Sequence, residues 1–422
     1  MNVRLETALS DPNLDATRSI HQRQLAVSVA AVADSTARPI PLNLCSIVDR
    51  SGSMAGYPLA TVKQAAQRLV DRLSLLDRLS VVAFDRQATV LVNNQPLLYP
   101  AWVKGSIGKI QARGGTALDE GLKLGIHELF KGRQHRVSQA FVLTDGDNEH
   151  GSDDRCLKLA QLAAQNNLTL NVLGFGDRWN TDVLERIADA SGGSLVYVET
   201  PDDAIAAFAR LFDRARSVAL TNAYLEFRLS PGVRLAQFKP LAQVEPETKE
   251  LSPVSADELP PEVSKEGWVS VRLGDVMTNV ARVTIANLYL EGLPEGRHPV
   301  AEVRVRYTNP VSTENPFVSQ VSSVEANVTY PYIPSEAPHV TRWVLALAKY
   351  RQIQIAEAKL RQGDRSDAVT MLQAAIKTAL QLKDTRAAEV LKTTVTHLKM
   401  GKQLSDRDCK QTRIVSKSVF VN

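Results

Sequence analysis

Oxygen-bearing side chains cluster directly after the first strongly apolar stretch of the chain. Residues 42–48 are mostly apolar, and Asp49, Ser51 and Ser53 follow them at intervals of two. On a tight loop that Gly52 makes flexible, one carboxylate and two hydroxyls at this spacing can point to a common centre. Hard oxygen ligands of this kind suit Mg²⁺, with Mn²⁺ and Ca²⁺ as alternatives, and do not suit zinc or copper.

Two further segments can complete this set of ligands. Thr116 follows two glycines and precedes a helical pattern, and Asp145 lies just after the apolar stretch 140–143. Because ligands of an open parallel sheet bind beyond the carboxyl ends of its strands, we expect these segments to converge there. Two carboxylates and three hydroxyls leave a bound Mg²⁺ with several waters and one exchangeable position, which suits an acidic side chain of a partner protein. The predicted metal ligands are Asp49, Ser51, Ser53, Thr116 and Asp145.

The region from about residue 38 to 215 alternates between apolar and amphipathic stretches. The predicted strands are 42–48, 79–84, 140–143, 168–173 and 194–198. The predicted helices are 59–75, 117–130, 155–166, 181–190 and 202–215. Apolar strands that are each followed by a helix indicate a parallel sheet covered on both faces. We therefore predict a doubly wound α/β domain over residues 38–215.

The segments on either side of this domain alternate polar and apolar residues. Residues 216–333 contain several short alternating runs bounded by Pro, Gly and Asn, which predicts an antiparallel β-sandwich over 216–335. Similar alternation at 3–9 and 24–32 predicts that residues 1–37 supply strands to this sandwich. The α/β domain would then be inserted in the sandwich or lie beside it.

After Pro338 the sequence becomes helical. Amphipathic stretches at 340–362, 365–381 and 385–400 predict a helical bundle over 336–400. The first two have a spacing similar to a tetratricopeptide unit, but such arrays need about three repeats and the sequence has one, so a three-helix bundle is favoured. Residues 401–422 contain five basic residues and two acids, and are predicted to form a flexible tail.

The oxygen-bearing residues also carry a resemblance to a known family. Asp49-x-Ser51-x-Ser53, Thr116 after two glycines, and Thr-Asp-Gly at 144–146 resemble the von Willebrand factor type A (VWA) domain over about residues 38–215. The likeness extends to bacterial members and to inter-alpha-trypsin-inhibitor heavy-chain-like members. It implies a Rossmann-like fold with an intact metal-ion-dependent adhesion site. In that site Ser51, Ser53 and Thr116 would contact the ion or exchange with water, and the two aspartates would act directly or through bound water.

Simpler interpretations compete with the metal site. Asp49 and the two serines are also typical of a turn that caps the following helix, independent of any metal. The loop after Asp145 carries further acids that could hold a second cation, but their spacing does not fit a calcium loop, and a solvated acidic rim is favoured. These acids are Asp147, Glu149, Asp153 and Asp154.

Nothing in the sequence favours an enzyme. The seven histidines are scattered, and neither a Gly-x-Ser-x-Gly elbow nor a His-Glu-x-x-His motif is present. His150, close to the predicted metal loop, is the candidate base if the protein were a metal-assisted hydrolase. We therefore expect a metal-dependent protein-interaction module, with the hydrolase as the alternative from another class.

Other expectations concern partners and location. The bacterial resemblance suggests, as an alternative, an adaptor or substrate-recognition subunit of a MoxR-like or chelatase-like AAA+ ATPase, since the chain has no Walker motif of its own. Thr412 or Ser416 in the basic tail could be phosphorylated and bound by a phosphopeptide-reading domain. A net charge of +4 over 422 residues does not favour nucleic-acid binding. Three widely spaced cysteines and the lack of a long apolar segment predict a cytoplasmic protein without membrane spans.

Overall fold

The computed structural model describes residues 2–32, 40–176, 179–255, 263, 267–278, 280–312 and 316–418. The chain divides into two compact units. One unit comprises Asp34–Asn222 with Thr308–Asn315, and is called the α/β unit. The other comprises Met1–Ala33, Ala223–Tyr307 and Pro316–Asn422.

The regular elements follow one another along the chain as follows. The strands are β1 (Asn2–Leu9), β2 (Asn13–Asp15), β3 (Ile20–Val32), β4 (Leu42–Asp49), β5 (Arg78–Phe84), β6 (Ala88–Pro96), β7 (Val137–Thr144), β8 (Leu168–Phe175), β9 (Leu195–Val198), β10 (Val218–Leu229), β11 (Val233–Leu235), β12 (Leu241–Glu245), β13 (Lys249–Leu251), β14 (Val269–Met277), β15 (Arg282–Glu291), β16 (Gly296–Thr308), β17 (Phe317–Val318) and β18 (Ser322–Thr329). The helices are α1 (Tyr57–Arg72), α2 (Pro100–Gly108), α3 (Leu118–Gly132), α4 (Asp153–Gln165), α5 (Thr181–Ser191), α6 (Pro201–Ser217), α7 (Pro338–Arg361), α8 (Arg365–Gln381), α9 (Thr385–Lys399) and α10 (Asp406–Lys417). Among the described residues, no helix is long and apolar enough to cross a membrane.

The α/β unit is built on a six-stranded sheet with the order β6-β5-β4-β7-β8-β9. Five strands, β5, β4, β7, β8 and β9, pair in parallel, and β6 pairs antiparallel with β5 at one edge. Every residue of β4, β7 and β8 is buried, because helices cover both faces of a doubly wound sheet. The predicted α/β fold is confirmed.

Two elements of this sheet region lie outside the sequence prediction. The edge strand β6 is only partly buried and contains two consecutive asparagines, so it lacks the apolar run that marks the central strands. Helix α2 is short and starts from an exposed stretch with Leu98 and Tyr99, which hides its amphipathic pattern. Both elements lie at the edge of the fold, where burial imposes little periodicity.

Helix α3 packs unusually close to the sheet. A Cβ atom added at Gly121 would lie 2.7 Å from Phe84 Cδ1, and one added at Gly125 would lie 2.2 Å from Ile47 Cδ1. The two glycines therefore allow α3 to approach β4 and β5 directly. This contact fixes the start of α3 relative to the carboxyl ends of those strands.

The second unit contains two further six-stranded sheets. One has the order β1-β3-β15-β12-β13, with β11 also paired to β15. The other has the order β14-β10-β16-β18-β2, with β17 also paired to β16. The long strand β3 pairs antiparallel with β15, and β2 pairs parallel with β18. Strands that precede the α/β unit in the sequence thus pair with strands that follow it.

Helices α7 to α9 lie within or close to the predicted stretches and share an apolar core. Asp364 and Asp384 cap α8 and α9 by accepting hydrogen bonds from the backbone amides of Asp367 and Ala387. The core contains Ile353, Ala356, Ala368, Leu372, Ala375, Leu391, Val395 and Leu398.

The prediction of a flexible tail at 401–422 is wrong over Asp406–Lys417, which form α10. Ser405 and Asp408 form a capping box at its start. The sequence signal is weak because several buried side chains of this helix are polar, among them Lys410 and Thr412. The last four residues of the predicted tail lie outside the described residues.

Candidate metal centre

The residues predicted as ligands lie at one edge of the parallel sheet. Asp49 is the last residue of β4, and β4 pairs in register with β7 so that Val48 lies opposite Leu143. Asp145 follows the end of β7, and Thr116 lies just before α3. The parallel pairing therefore brings the β4 and β7 loops to the same edge.

Asp49 is held rigidly at the base of this site. Its side chain is fully buried, Oδ1 accepts a hydrogen bond from the Ser51 amide at 2.8 Å, and Oδ2 accepts one from Thr144 Oγ1 at 2.6 Å. Burial raises the pKa of Asp49 to about 6, against the effect of these hydrogen bonds, and the negative charge of Asp145 adds to the increase. A buried carboxylate in this environment favours a nearby cation.

Ser51, Ser53 and Asp145 form a continuous row of oxygen atoms. Ser51 Oγ lies 3.0 Å from Ser53 Oγ, and Ser53 Oγ donates to Asp145 Oδ1 at 2.8 Å. Adjacent ligands of an octahedral Mg²⁺ with bonds of about 2.1 Å are about 3 Å apart, so the spacing of these oxygens fits such an ion. Ser53 is exposed and Asp145 is half-buried, which leaves this part of the row open to solvent.

Thr116 is buried beside the same loops. A Cβ atom added at Gly146 would lie 3.7 Å from Thr116 Oγ1 and 3.8 Å from Ser53 Oγ, so both hydroxyls face the backbone of Gly146. The structure thus brings together the five side chains that the sequence singled out. Their role as metal ligands stays a prediction.

Asp85 joins two of the loops and was missed by the sequence analysis. Its Oδ2 accepts hydrogen bonds from Arg50 Nε at 2.8 Å and from Arg113 Nε at 3.0 Å, and its carbonyl accepts one from the Ala117 amide at 2.7 Å. Burial acts to raise the pKa of Asp85, but hydrogen bonds from the Gln87 amide and from the two arginines outweigh it and the pKa is lowered. Its position directly after the strand β5 was the available signal.

The loop after Asp145 seats Thr116 and the start of α3. The His150 amide donates to the Thr116 carbonyl at 2.8 Å, and the Leu118 amide donates to Asn148 Oδ1 at 2.8 Å. The His150 ring packs over Gly115, where a Cβ atom would lie 2.2 Å from its Cε1. The candidate base therefore contacts the backbone, while Ser51 bonds to Ser53 and Ser53 bonds to Asp145.

The acids of this loop do not form a second metal site of the usual kind. Asp147, Glu149, Asp153 and Asp154 are all exposed. In the part of the chain that the structure describes, no group of three or more His, Cys, Asp or Glu side chains is arranged to hold a metal ion. The candidate centre differs from such groups because three of its five ligand side chains are hydroxyls.

Comparison with known proteins places the chain in a family. The model of the von Willebrand factor type A domain matches residues 43–210, and that of the Sll0103-like C-terminal alpha-helical domain matches residues 338–422. The uncharacterized protein sll0103 of Synechocystis sp. is 49% identical over 421 residues, which cover 100% of this chain and 98% of that protein. The chain belongs to the Sll0103-like family of VWA-domain proteins.

Further similarities concern the VWA domain and the fold. Inter-alpha-trypsin inhibitor heavy chain H4 of Bos taurus is 26% identical over 202 residues, covering 44% of this chain and 22% of that protein. A von Willebrand factor type A structure from Catenulispora acidiphila has a TM-score of 0.80 at 18% identity, covering 99% of this chain and 97% of that chain. The ArnB paralog VWA2 from Sulfolobus acidocaldarius has a TM-score of 0.59 at 15% identity, covering 99% and 98%. The predicted membership of the VWA family and likeness to the heavy chains are confirmed.

Proposed function

We propose that this VWA-domain protein is a metal-dependent protein-interaction module. Asp49, Ser51, Ser53, Thr116 and Asp145 would hold Mg²⁺, and an acidic side chain of a partner protein would occupy its exchangeable position. VWA domains typically mediate interactions between proteins, which agrees with this role. The observation that carries the proposal is the row of oxygens from Ser51 to Asp145, spaced by 3.0 and 2.8 Å.

The charge of the site supports an acidic partner residue. The two carboxylates balance the charge of a divalent cation without exceeding it, and the three hydroxyls bring no charge. Asp49 lies on the buried side, whereas Ser53 is exposed. A partner would therefore approach from the side of Ser53, and a carboxylate is the hard anionic oxygen ligand that proteins supply most readily to Mg²⁺.

Metal binding is tested by calorimetric titration of the full chain with Mg²⁺. Asp145→Asn and Ser53→Ala are expected to abolish or strongly reduce the heat of binding. The first removes the negative charge of a ligand and the second removes a hydroxyl ligand, and neither change leaves a cavity in the core. Asp147→Asn is the matched control, since it neutralises an exposed carboxylate of the same loop outside the proposed ligand set. Equal heats for wild type and Asp145→Asn would contradict the proposal.

Partner binding is tested by affinity purification from the native cell in Mg²⁺ and in EDTA. Proteins that bind the wild type in Mg²⁺ should be lost both in EDTA and with Asp145→Asn as the bait. Retention under all three conditions would show that the interaction does not use the metal centre. The hydroxyl bonding of Ser51 and Ser53 offers no support for a hydrolase, so no catalytic role is proposed.

A further inference from the structure

An open cleft lies against the candidate metal centre, entirely within the α/β unit. Its volume is about 380 Å³, near the lower end of the range of about 300–1,000 Å³ found for ligand pockets. Ser53 and Asp145, two of the proposed metal ligands, line this cleft themselves. A partner segment bound at the metal can therefore continue directly over the cleft.

Most of the surface that lines the cleft is apolar. Phe175 and Val198 are buried at the ends of two neighbouring parallel strands, β8 and β9. Tyr57 and Pro58, at the start of α1, line it as well, and the Tyr57 side chain is 66% exposed. When an apolar group covers apolar surface that is open to water, the free energy of the system falls.

The charged residues of the cleft constrain what can bind there. Asp145 and Glu199 both line it, so a second carboxylate placed in the cleft itself would be repelled. At the metal, in contrast, the cation offsets that repulsion. The cleft and the metal centre therefore select different side chains of one partner.

We propose that the cleft binds a bulky aliphatic or aromatic side chain from the same partner segment whose acidic residue occupies the metal centre. This inference rests on the proposed function. In an extended segment, alternate side chains point to the same face and lie about 7 Å apart, at a rise of about 3.3 Å per residue. The apolar residue is therefore two positions before or after the acidic residue.

Selection from a phage-displayed library of random cysteine-free peptides tests this recognition. With the full chain and Mg²⁺, the selected peptides should share an Asp or Glu with a bulky apolar residue two positions away. Synthetic versions of these peptides should bind Tyr57→Ala about tenfold more weakly, because that variant loses one apolar contact surface of the cleft. Binding to Tyr99→Ala should stay within about twofold of wild type.

The two tyrosine variants are closely matched. Tyr57 and Tyr99 are 66% and 73% exposed, and each lies at the start of a helix of the α/β unit. Tyr99 follows β6, whose last residue Pro96 pairs with Arg78 at the start of β5, and so lies at the opposite end of the sheet from the metal centre. Calorimetry with Mg²⁺ checks that the metal centre of Tyr57→Ala is intact.

The outcomes separate this inference from the proposed function. Peptides that require an acid and Mg²⁺ but show no apolar preference would overturn the inference and leave the metal-dependent function standing. Equal binding to wild type and Tyr57→Ala would have the same meaning. Selection that is unaffected by EDTA would contradict the proposed function and the inference together.

Discussion

At the residue scale, Asp85 organises the candidate metal centre without belonging to it. It bonds to Arg50, between Asp49 and Ser51, and to Arg113, which precedes Thr116 by three residues. Asp85→Asn should lower the free energy of unfolding of the α/β unit by about 3 kcal/mol, since it leaves Arg50 buried without its counter-charge. Weaker Mg²⁺ binding should accompany this loss, because both loops lose a common anchor.

The pH dependence of this effect follows from the lowered pKa of Asp85. A carboxyl with a depressed pKa in the folded state contributes stability above its unfolded pKa of about 4, and loses it as the pH falls through the folded value. The difference in the free energy of unfolding between wild type and Asp85→Asn should thus be largest at neutral pH and should shrink in acid. Hydrogen exchange of β4 peptides across this range measures it, with the exposed Asp71→Asn as the control. If this difference in stability grew on acidification, Asp85 would not be stabilising the fold as a carboxylate with a lowered pKa.

At the element scale, the close packing of α3 positions Thr116. Gly125→Ala should destabilise the α/β unit by about 1–3 kcal/mol, because the added methyl group would overlap Ile47. Gly105→Ala in α2 is the matched control, since a Cβ atom there meets nothing within 4 Å. The control should be stabilised by up to about 1 kcal/mol through helix propensity alone. Chemical denaturation, monitored by hydrogen exchange of β4 and β7, distinguishes the two variants. Equal stabilisation of both would show that a methyl group at Gly125 does not clash with Ile47.

The sequence predicts elements well where burial imposes a pattern. The apolar runs of β4, β7 and β8 identify the central sheet, and the order of the strands then places Asp49 and Asp145 at one edge. The edge strand β6 escapes prediction because solvent tolerates its asparagines. Asp85 was missed because its two arginines lie 35 and 28 residues away in the sequence, a distance that no local pattern spans.

At the scale of the whole molecule, the helical domain shows how polar contacts order an end of the chain that lacks a clear apolar stripe. Thr412 is buried, and its Oγ1 lies 3.0 Å from Thr394 Oγ1 in α9. Ser416 is also buried, and its hydroxyl donates to the Arg413 carbonyl at 2.6 Å. Phosphorylation of either side chain, and binding by the phosphopeptide-reading domain expected from the sequence, would therefore require α10 to leave its place in the helical domain.

The buried Lys349 connects three parts of this domain. Its Nζ, in α7, donates to Asp384 Oδ2 at the start of α9 and to the Ser418 carbonyl after α10, both at 2.7 Å. Burial lowers the pKa of Lys349, while the hydrogen bond and charge of Asp384 act in the opposite direction. The contact therefore holds the end of α10 only as long as the ammonium and the carboxylate are both present.

Lys349→Met should release α10 from the helical domain. The variant leaves Asp384 buried without its counter-charge, at a cost of about 3–5 kcal/mol, and removes the donor to Ser418. Hydrogen exchange measured on the full chain should show faster exchange in Asp406–Lys417, with β7 unchanged because the α/β unit has its own core. Lys392→Met, at an exposed position of α9, should leave both segments as in wild type. Unchanged protection of α10 in Lys349→Met would mean that apolar contacts such as that of Val415 with the α9 alanines are sufficient to hold it.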